Sequence, residues 1–328
     1  MSITSQKTSA PWSEAASTSD ERRQPDDGRS GPGEWERGEP ITDVRLDRLV
    51  TLYVARPLRR LASLDKLCVP ILMYHSIAGE DETAMRAYYR TATQPRVFAA
   101  QMAALDNAGY SVISLGEAVR RLEEGSPAIA GSVAITFDDG YRNFYTDAFP
   151  ILQHYGFTAS MFLPTAHIGE SCLRFKGKEC LSWSEVRELQ RHGFSFGSHT
   201  VTHPQLYDLT ALAIREEVTV SKQTIEQRLG CAAESFAYPY AFPETDAGFK
   251  VRLRGLLCEA GYKYGVCTSL GRPRPGADPL FLKRLPVNSC DDESLFSAKL
   301  SGAYDWLAGP QRMVKWAKNR GSQRPCEG

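Results

Sequence analysis

The sequence predicts an α/β fold on a parallel sheet, barrel-like or open, and three observations carry that reading. From Val69 onward, short apolar runs alternate with amphipathic stretches, the pattern of repeated β–α units. Several of those stretches end at a glycine (Gly109, Gly156, Gly193, Gly230, Gly261), as helix C-termini commonly do, and a strand-like run follows each within a few residues. The residues just past the apolar runs are unusually polar, where parallel sheets place their chemistry: Tyr74-His75, Asp138-Asp139, His199 with His203, and Tyr238-Pro239-Tyr240.

Residues 1–40 are rich in Gly, Pro, Ser and charge and cannot bury a core, so a disordered tail is expected there. Residues 41–66 form an amphipathic lead-in: Leu46, Leu49, Val50 and Tyr53 recur at helical spacing, and Pro57 interrupts the run before Leu58, Leu61 and Leu64. Arg45, Arg48, Arg56, Arg59, Arg60 and Lys66 make this stretch basic. A helix docked on the domain is the expected role, and peripheral contact with an anionic membrane or a partner is the second reading. A domain over 67–310 then holds strands at Val69–Tyr74, Ser111–Ser114, Val133–Phe137, Ala159–Leu163, Ser195–Ser198, Ser235–Tyr238, Tyr264–Thr268 and Phe281–Val287. Helices are expected near Val97–Ala108, Leu115–Glu124, Tyr145–Tyr155, Trp183–His192, Ala211–Leu229 and Lys250–Ala260, with a closing helix pair in Asp291–Trp316. Residues 311–328 are assigned to a C-terminal tail, loose from Lys318 on.

Composition narrows the function. Lys plus Arg equals Asp plus Glu at 39 each, so no global field favours nucleic acid, and a neutral or weakly charged substrate is the simpler expectation. No apolar run reaches eighteen residues, and residues 1–38 hold no apolar signal-peptide core. The expectation is a cytoplasmic or membrane-peripheral chain. The eight cysteines show neither CxxC pairs nor zinc-finger spacing and are expected to be mostly reduced, with Cys172 and Cys180 flanking one polar loop as the pair able to bridge after export.

Two segments carry chemistry. In Ala134-Ile135-Thr136-Phe137-Asp138-Asp139-Gly140, a buried strand ends in adjacent carboxylates that must be solvated or given a cation. One can ligate a divalent metal while its neighbour stays free as a base. A solvated Asp-Asp-Gly turn fits that segment equally well. In Ser198-His199-Thr200-Val201-Thr202-His203-Pro204, two imidazoles four residues apart follow a strand at the spacing that metal pairs use. With Asp139 they offer two nitrogens and one oxygen, a set that suits zinc and tolerates cobalt, nickel or manganese.

These two motifs resemble the first two of the polysaccharide deacetylases, the NodB-homology or carbohydrate esterase family four. The resemblance continues through Ser221-Lys222, Phe236-Ala237-Tyr238-Pro239-Tyr240 and Ala260-Gly261-Tyr262 and spans roughly Val69 to Val287. It implies a distorted (β/α) barrel with about seven strands and a hydrolase that deacetylates amino sugars in poly- or oligosaccharides. By the same resemblance, Asp139, His199 and His203 are the expected metal ligands and Asp138 the general base. Tyr240 holds the position whose backbone N–H faces the oxyanion. Two departures follow. Ala237 stands where the family places an arginine beside the base, and Arg284 is the candidate to replace it. No histidine follows His203, so the usual late catalytic acid is absent. Leu72-Met73-Tyr74-His75 instead resembles the branch acting on poly-N-acetylglucosamine, which makes His75 the expected acid. Competing readings are a small-molecule amide or ureide hydrolase on the same barrel and a non-catalytic carbohydrate-binding protein. Retention of all four motif residues speaks against the latter.

Overall fold

The computed structural model describes residues 45–62, 67–79, 82 and 84–314. The expected tails at 1–40 and 318–328 lie outside them. Eight parallel strands form the sheet: β1 Ile71–Tyr74, β2 Ser111–Ile113, β3 Ser132–Phe137, β4 Ser160–Leu163, β5 Ser195–Ser198, β6 Ser235–Ala237, β7 Tyr264–Leu270 and β8 Leu282–Pro286. Their order is β1-β8-β7-β6-β5-β4-β3, and β3 pairs back onto β1 with Leu72 opposite Ile135 and Tyr74 opposite Phe137. Seven strands therefore close a barrel, and of the two forms left open by the β–α pattern the closed one is found. β2 stays outside the ring. It pairs with the first half of β3 through Ile113 and Ala134, whereas β4 takes the second half from Thr136.

Closure follows from which residues meet. Ile71, Ala134, Phe162, Ala237, Val266 and Leu282, from six different strands, pack into one buried cluster inside the ring. Leu115, Ala118, Val119 and Leu122 of the helix Leu115–Glu123 join that cluster beside Val69 and Ile129, on the side where strands begin. The alternate residues of β1 and β3 face outward. Tyr74 stacks on Phe137 at 5.3 Å and meets Phe98 of the helix Pro95–Asn107 edge-on. Burying one such aromatic contributes about 1.5–3 kcal/mol, so this layer anchors the helices to the wall.

Two helices differ from expectation for one physical reason. The run near Tyr145–Tyr155 opens with a π-helical turn at Phe144–Ala148 before the α-helix Phe149–His154. Pro150 has no N–H, and the Phe149 N–H just before it reaches back to the Phe144 carbonyl. Pro57 does not interrupt the lead-in helix either. Leu46–Val50 passes through a π-helical turn at Thr51–Ala55 into Arg56–Ala62, with the Arg56 N–H on the Thr51 carbonyl. One face of this segment docks on the chain's end. Arg45 Nη1 donates to the Cys290 carbonyl at 2.7 Å, Tyr304 Oη to Asp47 at 2.8 Å, and Trp306 Nε1 to Thr51 at 3.0 Å. Leu46, Tyr53, Val54 and Leu58 remain exposed.

The closing segment comprises the helix Glu293–Leu300, a 3-10 turn Asp305–Leu307 and a helical run over 308–314. Gln311 accepts from the Leu270 N–H and donates to Tyr88 Oη, both at 2.9 Å. The 310/311 boundary falls within this helical run. Among the described residues no helix is long and apolar enough to cross a membrane. Cys172 and Cys180 are both free thiols.

Candidate active site

Each candidate side chain leaves the sheet where a strand ends. β1 hands on His75, β3 is followed by Asp138 and Asp139, β5 by His199 and His203, and β6 by Tyr238 and Tyr240. All gather at the carboxyl-end rim, and Arg284 joins from within β8. Non-glycine residues with left-handed backbone among those described are Asp139 (φ 71°), Lys176 (49°), Thr200 (70°), His203 (59°) and Tyr240 (56°). All five lie at this rim. Such conformations cost roughly 1–3 kcal/mol each and persist only where their surroundings impose them. Gly140 completes the first turn at φ 62°, and a Cβ there would sit 3.0 Å from Ile168 Cδ1 and 3.1 Å from Leu163 Cδ2. Only glycine suits the turn that sends both carboxylates to one side.

The imidazole turn is clamped by the helix Ala211–Leu229. Glu217 accepts from the Val201 and Thr202 N–H groups at 2.7 and 3.0 Å and from Thr202 Oγ1 at 2.7 Å. Ser221 Oγ shares a 2.6 Å hydrogen bond with Ser198 Oγ, which accepts from the Thr200 N–H at 3.1 Å. Gly197 lets Ser235 of β6 come close to β5, since any Cβ there would lie 2.2 Å from Ser235 Oγ. Thr200 Oγ1 accepts from the His203 N–H at 3.0 Å, fixing the second imidazole relative to the first.

The result is a donor set able to hold a cation. Ligand atoms of Asp139, His199 and His203 all lie within 4.8 Å of one another, and all three residues are buried. Asp139 Oδ1 stands 3.1 Å from His203 Nε2 and 3.6 Å from His199 Nε2, yet it is buried without a hydrogen-bond partner. His199 Nδ1 lies 2.8 Å from the Ala237 carbonyl, which can only accept, so Nδ1 carries the proton and Nε2 presents a lone pair. Burial, outweighing Asp138, brings His199 down to about 4 and keeps it neutral. Two imidazole nitrogens and one orphaned carboxylate oxygen converge at one point, as a tetrahedral zinc site with an open position requires. The donor set fits the divalent metal that the motif chemistry implies.

Asp138 lies beside this set, fully buried. Arg284 donates to it twice, Nη1 to Oδ1 and Nη2 to Oδ2, both at 2.7 Å. Arg284 is itself held by the Cys267 carbonyl at 3.2 Å and Thr136 Oγ1 at 3.1 Å. Burial alone raises the Asp138 pKa, but Arg284, with His199 and His75, outweighs it and leaves the carboxyl below its ordinary value. Ala237 supplies no charge at the third motif, and the guanidinium beside Asp138 comes from β8 instead. His75 Nε2 is 3.9 Å from Asp138 Oδ2, at the mouth of the site. Burial lowers its pKa, against Asp138 and Asp139, which raise it. Asn143 braces the loop after His75, donating to Ser76 Oγ at 2.7 Å and accepting from the Ile77 N–H at 3.1 Å. The Tyr240 ring lies 4.6 Å from that of His203, and its carbonyl accepts from Thr268 Oγ1 at 2.7 Å.

Sequence reasoning missed Glu217, Ser198, Asn143 and a hairpin of Arg174–Phe175 and Lys178–Glu179. This hairpin brings Phe175 to 5.1 Å from the His203 ring and the Lys176 ammonium to 3.7 Å from Asp139 Oδ2. Ser198 and Glu217 lie in a strand and a helix that the pattern did mark, but nothing in the pattern singles them out as site residues, and the hairpin falls within the polar loop Gly169–Leu181.

Comparison with known proteins agrees with this geometry. Residues 126–264 match the family model described as polysaccharide deacetylase. YxkH of Bacillus subtilis, which bears the family's name, is 29% identical over 230 residues, 70% of this chain and 75% of its own length. A poly-β-1,6-N-acetyl-D-glucosamine N-deacetylase of Staphylococcus aureus is 25% identical over 166 residues, 48% of this chain, and the match covers about half (54%) of that protein. The structure of the Streptococcus pyogenes deacetylase PplD in complex with acetate superposes with a TM-score of 0.63 at 26% identity, over 72% of this chain and 99% of that one.

Proposed function

Because the chain belongs to the polysaccharide deacetylase family, we propose that it is a metal-dependent hydrolase that removes acetyl groups from N-acetylated amino sugars of a poly- or oligosaccharide. As a hydrolase of this family it acts on carbon–nitrogen bonds of linear amides rather than peptide bonds. The observation that carries the finer reading is the buried Asp139–His199–His203 set beside an ionised, arginine-held Asp138. The poly-β-1,6-N-acetyl-D-glucosamine deacetylase among its relatives supports an N-acetylglucosamine polymer as substrate.

Asp139, His199 and His203 would hold the metal, zinc by preference, with cobalt, nickel or manganese able to replace it. A divalent ion held there would supply Lewis-acid chemistry, polarising the acyl oxygen and acidifying water. Asp138 accepts the proton of the attacking water, and the bidentate Arg284 keeps the carboxylate ionised and correctly turned. The Tyr240 N–H donates to the oxyanion as the carbonyl becomes tetrahedral. His75 delivers a proton to the departing nitrogen, so a C–O bond forms, the C–N bond breaks, and acetate and a free amine leave. All three roles need only groups already at the rim.

The test is acetate release from N-acetylglucosamine oligomers by protein stripped of metal and reloaded with zinc or cobalt. Release restored by metal and lost in Asp138→Asn, with metal still bound, supports the reading. No release with zinc, cobalt, nickel or manganese overturns it.

A further inference from the structure

The hairpin over the site carries a lysine that its turn does not call for. Lys176 and Gly177 both have positive φ (49° and 78°), as the two central residues of a type I′ turn must. Asparagine, aspartate or glycine suits the first of these positions, and a β-carbon there costs about 1–2 kcal/mol. The lysine side chain nonetheless reaches back to the site. Its ammonium stands 3.7 Å from Asp139 Oδ2, 4.6 Å from the Phe175 ring centre and 5.1 Å from that of Tyr240, and the side chain is 41% exposed. The two oxygens of Asp139 are thereby divided. Oδ1 faces the imidazoles, and Oδ2 faces Lys176.

Local charge then differs from the chain's overall neutrality. Asp138 is matched by Arg284 and Asp139 by Lys176. Each of the two carboxylates thus already has a cationic partner, so a divalent ion held by Asp139 would add positive charge at the rim. The part of the rim's positive charge open to solvent is the Lys176 ammonium, beside the half-exposed Tyr240 ring.

We propose that Lys176 determines specificity, making the site favour amino-sugar chains with an anionic substituent, such as a uronic acid carboxylate, next to the scissile acetamide and disfavour chains with a free amine there. This rests on the deacetylase reading and narrows its substrate class. A half-exposed ion pair of this kind changes affinity by roughly fivefold, and salt screens it.

Three tetramers test it: N-acetylglucosamine alone, N-acetylglucosamine alternating with a uronic acid, and one N-acetylated sugar flanked by free amino sugars. Acetate release by the zinc-loaded enzyme and calorimetric binding to zinc-loaded Asp138→Asn are measured for each at low and high salt. The expected order in both readouts is acidic above neutral above cationic, about fivefold per step, flattened in Lys176→Met, kept in Lys176→Arg and compressed by salt. Equal values for the three chains, or an order that survives in Lys176→Met, overturn the proposal. Absence of acetate from every chain defeats the deacetylase reading alone. The binding order still decides the role of Lys176, and no binding to any chain overturns both.

Discussion

Arg284 and Asp138 form a buried, two-pronged ion pair across the barrel, 2.7 Å on each arm, joining the middle of β8 to the end of β3. Two charges taken from water survive there because each arm is matched and the guanidinium's other contacts are the Cys267 carbonyl and Thr136 Oγ1. Removing one partner leaves the other charged and alone. Arg284→Met is expected to destabilise the fold by about 3–5 kcal/mol. Arg284→Lys, a single point donor, should fold more nearly as wild type yet lose the two-armed hold on Asp138. Thermal unfolding and acetate release measured together check this. Full activity in the Arg284→Lys variant would show that the fork does not matter to the base.

His75 should separate chemistry from metal binding. Its Nε2 faces Asp138 rather than the Asp139 set. His75→Gln is therefore expected to lower kcat by roughly 10²–10⁴-fold, the usual worth of a general acid, while zinc affinity stays within about twofold. Metal titration with a competing chelator, run beside turnover, reads both. An equal loss in the two measurements would recast His75 as a metal-site residue.

Glu217 makes the converse prediction. It touches no ligand atom but holds the turn carrying His203 by three hydrogen bonds to Val201 and Thr202. Glu217→Gln removes the charge and misplaces a donor against two N–H groups. Zinc affinity should fall about 10–100-fold, as losses behind a ligand typically do. Saturating zinc raises apparent stability by about 2.7 kcal/mol at a hundred times Kd, so the zinc-induced shift in Tm should shrink accordingly. An unchanged shift would show that the turn holds without this clamp.

The contrast between those residues explains what was legible in the sequence. All eight strands were read near their observed bounds, because apolar runs punctuated by glycine leave a strong periodic trace. That seven close and Ser111–Ile113 stays outside was not legible from pattern, since its apolar residues look like any other strand's. It is decided by which half of β3 remains free for β4. The motif residues Asp138, Asp139, His199 and His203 lie together because they follow strands whose ends converge. Arg284 could be named only as a replacement for the charge missing at Ala237. Glu217 on a helix and Lys176 in a turn are single charged residues of the kind every surface carries, and only distance in space distinguishes them.

The lead-in helix offers a pH-dependent observable away from the site. Asp47 is partly buried between Arg45, whose Nη2 donates at 2.6 Å, and Tyr304 Oη at 2.8 Å. Burial raises its pKa, but the hydrogen bonds from Arg45 and Tyr304 outweigh it and leave the carboxyl below its ordinary 3.8. A depressed folded pKa binds fewer protons than the unfolded chain near that pH, so its stabilising contribution is complete above about 3.8 and disappears as pH falls through the folded value. Docking of Leu46–Ala62 on the segment around Tyr304 should thus hold unchanged from pH 7 to 5 and loosen below pH 4. Hydrogen exchange of the helix amides between pH 6 and 2.5, corrected for intrinsic rates, follows it against Asp47→Asn. The variant should begin less protected and lose little more on acidification, so that the two proteins converge at the acid end. A constant gap between them across that range would assign the docking to the Arg45 contact with the Cys290 carbonyl rather than to the Asp47 charge.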